Sequence, residues 1–384
     1  MGRFCPRWRF TLALRLPNPQ IKRRITNARA WLSNSPEVVQ AGKTPYEVIY
    51  EEDIVKLRYY PPLQEKSITV AGEKITCATE SHPVPLVIVS PLAVNMLIYD
   101  LFTQRSLVRF LRAKGFELYL IDWGKPGRRH NHHRFSTYFA DYMPRLLNKV
   151  REHSGSQDLS LHGWSFGALF SLCYTALHQD KHIRNLVLLG APGDYHANGV
   201  LGEQYQRISK ALSWVHKKTG WRVYQSPSAL WRSPGWANSL AFKLTSPVNS
   251  VKGYWQLVRH LENDDFVSAH ATNSAFLDDM VAYPGGIIQD TVHYLWTENC
   301  VANNRLPMRE QHTLTPVESN ILFINGRGDT IVVPKCTQPL QALVSSKDQH
   351  FELVSGGHVG IVSGTQAPKE SWPLIAEWLA KRSH

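Results

Sequence analysis

The sequence has few cysteines and no long apolar run. Its 384 residues include five cysteines, none of them in a Cys-x-x-Cys pair. This usage argues against a disulfide framework and against a zinc site, and it predicts a reducing compartment such as the cytoplasm. Because no run of about eighteen apolar residues occurs, we expect no transmembrane helix. Internal repeats and low-complexity stretches are also absent.

Acidic residues are fewer than basic residues in this chain. The chain has 43 Lys and Arg against 31 Asp and Glu, a formal net charge of +12. Such a surplus predicts attraction to polyanions, to an anionic membrane surface or to a phosphorylated substrate such as an acyl-CoA, although a solvated basic surface explains it equally well. We expect no nucleic-acid partner. Part of the surplus lies near the N-terminus, in Arg3, Arg7, Arg9, Arg15, Lys22, Arg23, Arg24 and Arg29.

The apolar patch at residues 10–14 is the nearest approach to a targeting signal. Arg15 ends it after too few residues for a secretory signal peptide. A surface-binding segment and a start codon placed too early both remain open as explanations of this N-terminus.

Short apolar stretches alternate with helical stretches along most of the chain, which is typical of a doubly wound, mostly parallel sheet. Near Tyr195 this alternation stops, and the following region is helical and rich in tryptophan. An interruption of that kind predicts a helical cap inserted over the catalytic edge of the sheet. The predicted organisation is a loosely attached basic segment at 1–45, a core at 46–194, a cap at 195–315 and the rest of the core at 316–384.

The strongest local pattern is Gly163-Trp164-Ser165-Phe166-Gly167, between an apolar strand and an apolar helix. This is the Gly-x-Ser-x-Gly nucleophile elbow of α/β hydrolases, in the context that gives the motif its meaning. Glycine is needed on both sides because the turn is too tight for side chains there. Together with the alternation of strands and helices, this motif predicts the α/β-hydrolase fold class. An ordinary strand-to-helix turn is the alternative interpretation of the motif.

A serine hydroxyl needs a base within hydrogen-bond reach and an acid that orients the base. In this fold the order along the chain is Ser, then Asp or Glu, then His. Asp329 follows the predicted strand at 321–324, and His358 follows the one at 351–354. We therefore predict a catalytic triad of Ser165, Asp329 and His358. A loop aspartate that caps a turn and a solvated loop histidine are the alternatives.

An oxyanion hole in this fold uses backbone N–H groups. We expect one from Phe166 and a second from the loop at 90–95, at Ala93 or Val94. No cofactor is expected. A metal site at His130, His132 and His133 is disfavoured, because no partner cluster supplies the remaining ligands. The other residues considered are expected to be structural: His162 in packing or hydrogen bonding, Cys173 in the core, and Asp264-Asp265 as a helix N-cap.

With these residues identified, the chain resembles the polyhydroxyalkanoate (PHA) synthase family, especially its two-subunit branch. The resemblance extends from about Thr44 to the C-terminus. It implies an α/β-hydrolase core, a mobile cap over a Cys–His–Asp triad, a hydroxyacyl-CoA substrate, and frequent dimerisation or a partner subunit. The matching motifs are Tyr46-Glu-Val-Ile-Tyr-Glu-Glu-Asp53, Tyr119-Leu-Ile-Asp-Trp-Gly124, Asn185-Leu-Val187, Pro284-Gly285 and Ser355-Gly-Gly-His-Val-Gly360.

The sequence departs from this family at the nucleophile. The family pattern has cysteine where this chain has Ser165, and Phe166 and Ala168 replace its usual glutamine and glycine. A serine holds an acyl group as an oxoester, which is a poorer acyl donor than a thioester. Chain growth is then less favoured, while transfer to water or an alcohol remains open.

Three functions follow from this sequence. The first is a serine enzyme that hydrolyses or transfers acyl groups from esters or thioesters. The second is a genuine PHA polymerase that tolerates serine. The third is a non-catalytic granule-associated protein that uses the basic N-terminus.

A basic patch at Lys125, Arg128 and Arg129 is a candidate contact for CoA phosphates, and a solvated loop explains it as well.

Overall fold

The computed structural model describes residues 19–32, 38–244 and 255–383. Cys5 and the apolar patch at 10–14 lie outside the described residues. No helix in the described ranges combines the length and the apolar character needed to cross a membrane.

The centre of the molecule is an eight-stranded sheet in the order β1-β2-β6-β5-β7-β8-β9-β10. Strand β2 is antiparallel to both of its neighbours, and the remaining pairs are parallel. This confirms the predicted doubly wound, mostly parallel sheet. The strands are β1 (Glu47–Glu52), β2 (Val55–Tyr60), β3 (Ser67–Val70), β4 (Glu73–Thr76), β5 (Leu86–Val89), β6 (Leu118–Asp122), β7 (Leu159–Trp164), β8 (Ile183–Leu189), β9 (Asn320–Gly326) and β10 (Gln349–Val354).

Helices cover both faces of this sheet, which is why its central strands are wholly apolar. Helices α2 and α11 pack on one face, and α3 and α4 pack on the other. Successive residues of β5 alternate between the two cores, so Ile88 contributes to one and Val89 to the other. The α-helices are α1 (Pro19–Leu32), α2 (Leu107–Ala113), α3 (Met143–Ser154), α4 (Phe166–His178), α5 (Gly199–Thr219), α6 (Gly235–Leu244), α7 (Asp264–Asp278), α8 (Gly285–Asp290), α9 (Pro334–Thr337), α10 (Gly360–Ser363) and α11 (Ser371–Ala380).

The region predicted as a cap is helical. It contains α5 to α8 and a π-helix at Thr291–Thr297, and its described part has no strand beyond a single bridge between Ser233 and Tyr283. The domain boundaries at 195 and 315 stay a prediction.

The composition of the N-terminal segment predicted loose attachment. The structure differs from this expectation in part of the segment. Helix α1 lies against α7, where Arg23 forms an ion pair with Asp264 and Asn27 donates to the backbone oxygen of Leu261 at 2.8 Å. Asp264 is also not the N-cap of α7: Asn263 accepts from the backbone N–H of Phe266, and the two aspartates lie in the first turn.

Two further local features differ from the sequence expectations. The β3–β4 hairpin was not predicted, although its Ala71-Gly72 turn has positive φ at both residues, as a two-residue hairpin requires. The sequence predicts a helix from about Tyr138 to Glu152, before the strand that leads into the elbow. In the structure this helix begins as a π-helix, Thr137–Tyr142, and continues as α3 until Gly155, which has a φ of 74°.

Candidate active site

Ser165 occupies the turn between β7 and α4 in a strained conformation. Its φ of 55° and ψ of −122° lie outside the regions that non-glycine residues favour. A Cβ on Gly167 would lie 2.0 Å from the backbone oxygen of Val89, and one on Gly163 would lie 2.5 Å from the Cα of Ala168. Only glycine fits at these two positions. The predicted elbow geometry is confirmed, while the role of Ser165 as nucleophile stays a prediction.

His358 and Asp329 form a buried pair. The ring Nδ1 lies 2.8 Å from Asp329 Oδ2, and the carboxylate is fully buried. The other carboxylate oxygen accepts the backbone N–H groups of Ile331 and Val332, both at 2.9 Å. Because a carboxylate oxygen accepts, this contact favours the tautomer of the neutral ring that has its N–H at Nδ1 and its lone pair at Nε2. The contact with Asp329 therefore fixes the position of the imidazole ring.

Two glycine-containing loops bring this pair together. The backbone N–H of Gly328, in the loop after β9, donates to the oxygen of Gly356, in the loop after β10, at 3.0 Å. A Cβ on Gly326 would lie 2.4 Å from that same oxygen, and Gly356 itself has a φ of 111°. The close approach of the two backbones thus depends on residues without side chains.

The His358 ring lies beside the elbow. The indole of Trp164 packs 5.4 Å from it and donates to the His358 backbone oxygen at 3.0 Å. A Cβ on Gly190 would lie 2.9 Å from the ring, and the residue before Gly190, Leu189, accepts the backbone N–H of Ser165 at 2.9 Å. The structure thus brings Ser165, His358 and Asp329 to one edge of the sheet. Ser165 and His358 are both described, and no hydrogen bond joins Ser165 Oγ to the His358 ring.

One expected oxyanion donor lies in the elbow, and the loop expected to supply the other begins against it. Phe166 is the first residue of α4, whose N-terminal N–H groups favour negative charge. The elbow lies against the start of the 90–95 loop, since a Cβ on Gly167 would lie 2.9 Å from the carbonyl carbon of Ser90. Ala93 has a φ of 65°. Within the described ranges, the N–H groups of Phe166, Ala93 and Val94 donate to no protein acceptor.

The loop that carries Ala93 is held by the region predicted as a cap. Val281 donates its backbone N–H to the Ala93 oxygen at 2.9 Å, and the Asn95 side chain donates to the oxygens of Phe276 and Asp279 at 3.0 and 3.1 Å. These contacts were not predicted from the sequence. Backbone-mediated contacts leave no residue signature, and only the loop asparagine was a visible signal.

An aromatic wall flanks the elbow. The Phe166 ring packs 5.3 Å from the ring of the fully buried Phe135 and 6.3 Å from the ring of Tyr283. An aromatic side chain in place of the family's usual glutamine therefore adds apolar surface next to Ser165. This surface suits an acyl chain rather than a charged group.

The described cysteines are poor candidates for an alternative nucleophile. Cys77, Cys173, Cys300 and Cys336 are all free thiols. Burial raises the pKa of Cys300 and of Cys336 to about 12, and burial raises the pKa of Cys173 well above its usual value. Thiols with such pKa values hold almost no thiolate at neutral pH, so they are inert.

The histidines at 130–133 have structural roles in this geometry. His130 Nδ1 accepts the N–H of Gly127 at 2.8 Å, and its Nε2 lies 2.8 Å from Asp53. Burial, together with its neighbours His132 and His130, lowers the pKa of His133 to about 4. In the portion of the chain that is described, no cluster of His, Cys, Asp or Glu could hold a metal ion.

The basic patch predicted to contact CoA phosphates is partly neutralised. Lys125 pairs with Asp279, and Arg129 pairs with Asp53 at 2.7 Å. Among the three cations, only Arg128 has no carboxylate partner in the described residues.

His162 and Cys173 are both buried in the core. Cys173 contributes to the core that covers α3 and α4. His162 is fully buried, packs edge-on against Tyr99, and has a hydrogen-bond partner at neither ring nitrogen. Of the two roles expected for His162, the structure shows packing.

Comparisons with known proteins agree with this geometry. A family model described as the alpha/beta hydrolase fold matches residues 95–365, which is more than half of the chain. The poly(3-hydroxyalkanoate) polymerase subunit PhaC of Haloferax mediterranei is 30% identical over 364 residues, covering 93% of this chain and 68% of that protein. The chain belongs to the PHA synthase-like family of α/β hydrolases. The resemblance seen in the sequence is thereby confirmed.

Other PHA synthase-like relatives match over a similar extent. The subunit PhaC of Haloarcula marismortui is 29% identical over 354 residues, covering 90% of this chain and 70% of that protein. That of Allochromatium vinosum is 28% identical over 350 residues, covering 90% of this chain and 91% of that protein. The similarity to PHA synthases thus includes both the core and the region predicted as a cap.

Proposed function

We propose that this PHA synthase-like protein forms an acyl-enzyme at Ser165 from acyl or hydroxyacyl esters or thioesters and passes the acyl group to water or an alcohol. The observation that carries the proposal is the strained elbow serine beside the buried His358–Asp329 pair. The described cysteines support it, because burial raises the pKa of each of them, Cys77 included, and this leaves Ser165 as the candidate nucleophile.

The first half-reaction proceeds through a tetrahedral intermediate. Ser165 Oγ attacks the acyl carbonyl carbon while Nε2 of His358 takes the hydroxyl proton, and Asp329 stabilises the resulting imidazolium. The carbonyl oxygen becomes an oxyanion, which the N–H groups of Phe166 and of Ala93 or Val94 bind. The intermediate then expels the thiol or alcohol, which receives its proton from His358. The second half-reaction repeats these steps with water or an alcohol as the attacking group.

A genuine PHA polymerase is the second candidate. It is favoured by the relatives, which are named as subunits of poly(3-hydroxyalkanoate) polymerases. In that case the acceptor is the hydroxyl of a growing chain, and a partner subunit or a second copy of the chain takes part. Attachment of the basic N-terminal segment to a granule or an anionic membrane surface, and a location in the reducing cytoplasm, belong to the same proposal.

The experiment that tests the proposal follows thiol release and product mass from 3-hydroxybutyryl-CoA. We expect free thiol with 3-hydroxybutyrate, labelling of Ser165 by a fluorophosphonate, and loss of both in Ser165→Ala. Full activity of Ser165→Ala contradicts an acyl-enzyme at this residue. Oligomers in place of the free acid identify the polymerase instead. A folded protein that neither reacts with the probe nor releases thiol supports a non-catalytic role.

A further inference from the structure

A groove separate from the elbow consists of two adjoining cavities of about 630 and 200 Å³. They share Arg222, His293 and Glu298 in their walls. The larger one is lined by charged residues on segments distant in sequence, and the smaller one adds the apolar side chains of Leu212, Trp221 and Val223 to a partly polar wall. Two chemically different subsites therefore lie side by side.

The larger cavity has cations without a carboxylate partner. Arg305 pairs with Glu298 at 2.8 Å, but Arg309 pairs with no described acid, and the Arg222 guanidinium contacts only His216, at 3.3 Å. Glu310 is the one other exposed acid in this wall. Guanidinium groups present forked donors that match phosphate oxygens, so two unpaired arginines on one cavity favour a phosphorylated ligand.

The smaller cavity has an aromatic side chain in its wall. It is lined by Leu212, Trp221 and Val223, and Trp221 is half-buried. An indole next to arginines suits a base with an attached phosphate, because the base stacks on the ring while the phosphate reaches the guanidinium groups.

The groove adjoins the aromatic wall of the active site. Arg134, which lines the larger cavity, pairs with the buried Asp290 at 2.8 Å. The other oxygen of Asp290 accepts the backbone N–H of Phe135 at 2.8 Å, and the Phe135 ring packs on Phe166. A series of contacts through Asp290 and Phe135 thus links the wall of the groove to Phe166, the residue after Ser165.

We propose that this groove binds the adenosine phosphate part of an acyl-CoA substrate, a proposal that rests on the proposed function. The patch at Lys125, Arg128 and Arg129 fits this role less well, because two of its three cations already have carboxylate partners. The acyl thioester is then recognised at two places, with the nucleotide held in the groove and the reacting carbon held at Ser165.

The first experiment measures binding alone. Full-length Ser165→Ala is titrated with CoA by calorimetry, with and without the additional change of Arg222 and Arg309 to Ala, and Arg128→Ala serves as the matched control from the other patch. We expect the double change to raise the Kd for CoA at least tenfold, and Arg128→Ala to leave it unchanged. Both arginines are exposed, so their removal spares the core. An unchanged Kd in the double variant overturns the proposal.

The second experiment separates substrate recognition from a free-nucleotide site. In the protein with Ser165 intact, we expect the double change to raise KM for 3-hydroxybutyryl-CoA and to spare the N-acetylcysteamine thioester, which lacks the nucleotide. ATP binding more tightly than CoA overturns the assignment to the substrate. If no thioester is turned over, the proposed function fails while the calorimetric result still decides on the groove.

Discussion

At the scale of single residues, the proposed function depends on Ser165, because the nucleophilic atom would decide which acyl chemistry is available. The elbow, the His358–Asp329 pair and the glycines around them leave the nucleophilic atom as the main chemical difference from the cysteine pattern of the family. An oxoester on serine is less reactive toward a hydroxyl acceptor than a thioester on cysteine. The consequence can be tested by one substitution in which an oxygen becomes a sulfur.

We predict that Ser165→Cys shifts the products from free hydroxy acid toward oligomers. The acyl group is then held as a thioester, so that transfer to the hydroxyl of a second hydroxyacyl group competes better with water. The measurement is the mass distribution of products from 3-hydroxybutyryl-CoA, with Ser165→Ala as the inactive control. Equal oligomer fractions in the wild type and Ser165→Cys contradict the idea that the nucleophile limits chain growth.

The buried His162 makes the free energy of unfolding depend on pH in the acidic range. Burial lowers the pKa of His162 to about 4, below its usual 6.5, so the unfolded chain takes up this proton first as the pH falls. The contribution of the neutral ring to stability is complete above pH 6.5 and is lost as the pH falls toward 4. The difference between the two pKa values amounts to about 3 kcal/mol.

We therefore expect His162→Leu to flatten the decline in the free energy of unfolding between pH 6.5 and 4. Urea denaturation at several pH values measures the slope, and His312→Leu is the control because that histidine is exposed. A slope that is the same in wild type and His162→Leu assigns the acid sensitivity to other groups, among them His133.

At the scale of elements, the glycines of the two motifs are not equivalent. The sequence predicted that the elbow glycines are required, and the structure gives the reason: a Cβ on Gly167 meets the backbone of β5. Gly360 ends the Gly-Gly-His-Val-Gly motif, but a Cβ there meets nothing within 4 Å. The pattern alone cannot distinguish these cases, because they depend on which backbone lies opposite.

We predict that Gly167→Ala lowers the free energy of unfolding by about 3 kcal/mol, since neither the elbow nor β5 can move without disturbing the core. Gly360→Ala, the matched control, is expected to change it by less than about 0.5 kcal/mol or to stabilise the fold slightly. Chemical denaturation of both variants measures the difference. Similar losses in the two variants are incompatible with this account.

At the scale of the whole molecule, the sequence predicts what local patterns specify. The apolar run at residues 85–89 predicted a buried parallel strand, and the order of Ser165, Asp329 and His358 predicted which loops meet. Contacts between distant segments had no such pattern. Val281 reaches Ala93 through its backbone, and α1 contacts α7 although Arg23 and Asp264 are 241 positions apart. Composition alone suggested the opposite for α1.

Helix α1 is attached to the rest of the molecule largely through exposed ion pairs. Arg23 pairs with Asp264 and Arg24 with Glu262, and all four side chains are largely exposed. Salt screens such pairs, with a Debye length of about 10 Å at 0.1 M and about 3 Å at 1 M.

We expect amide hydrogen exchange in α1 to accelerate with salt while exchange in the buried helix α4 stays unchanged. Replacing Arg23 and Arg24 by Gln should accelerate it already at low salt, whereas Arg207→Gln, an exposed control, should not. Exchange in α1 that is insensitive to both salt and substitution shows instead that the uncharged contacts of Asn27 and its neighbours hold the helix.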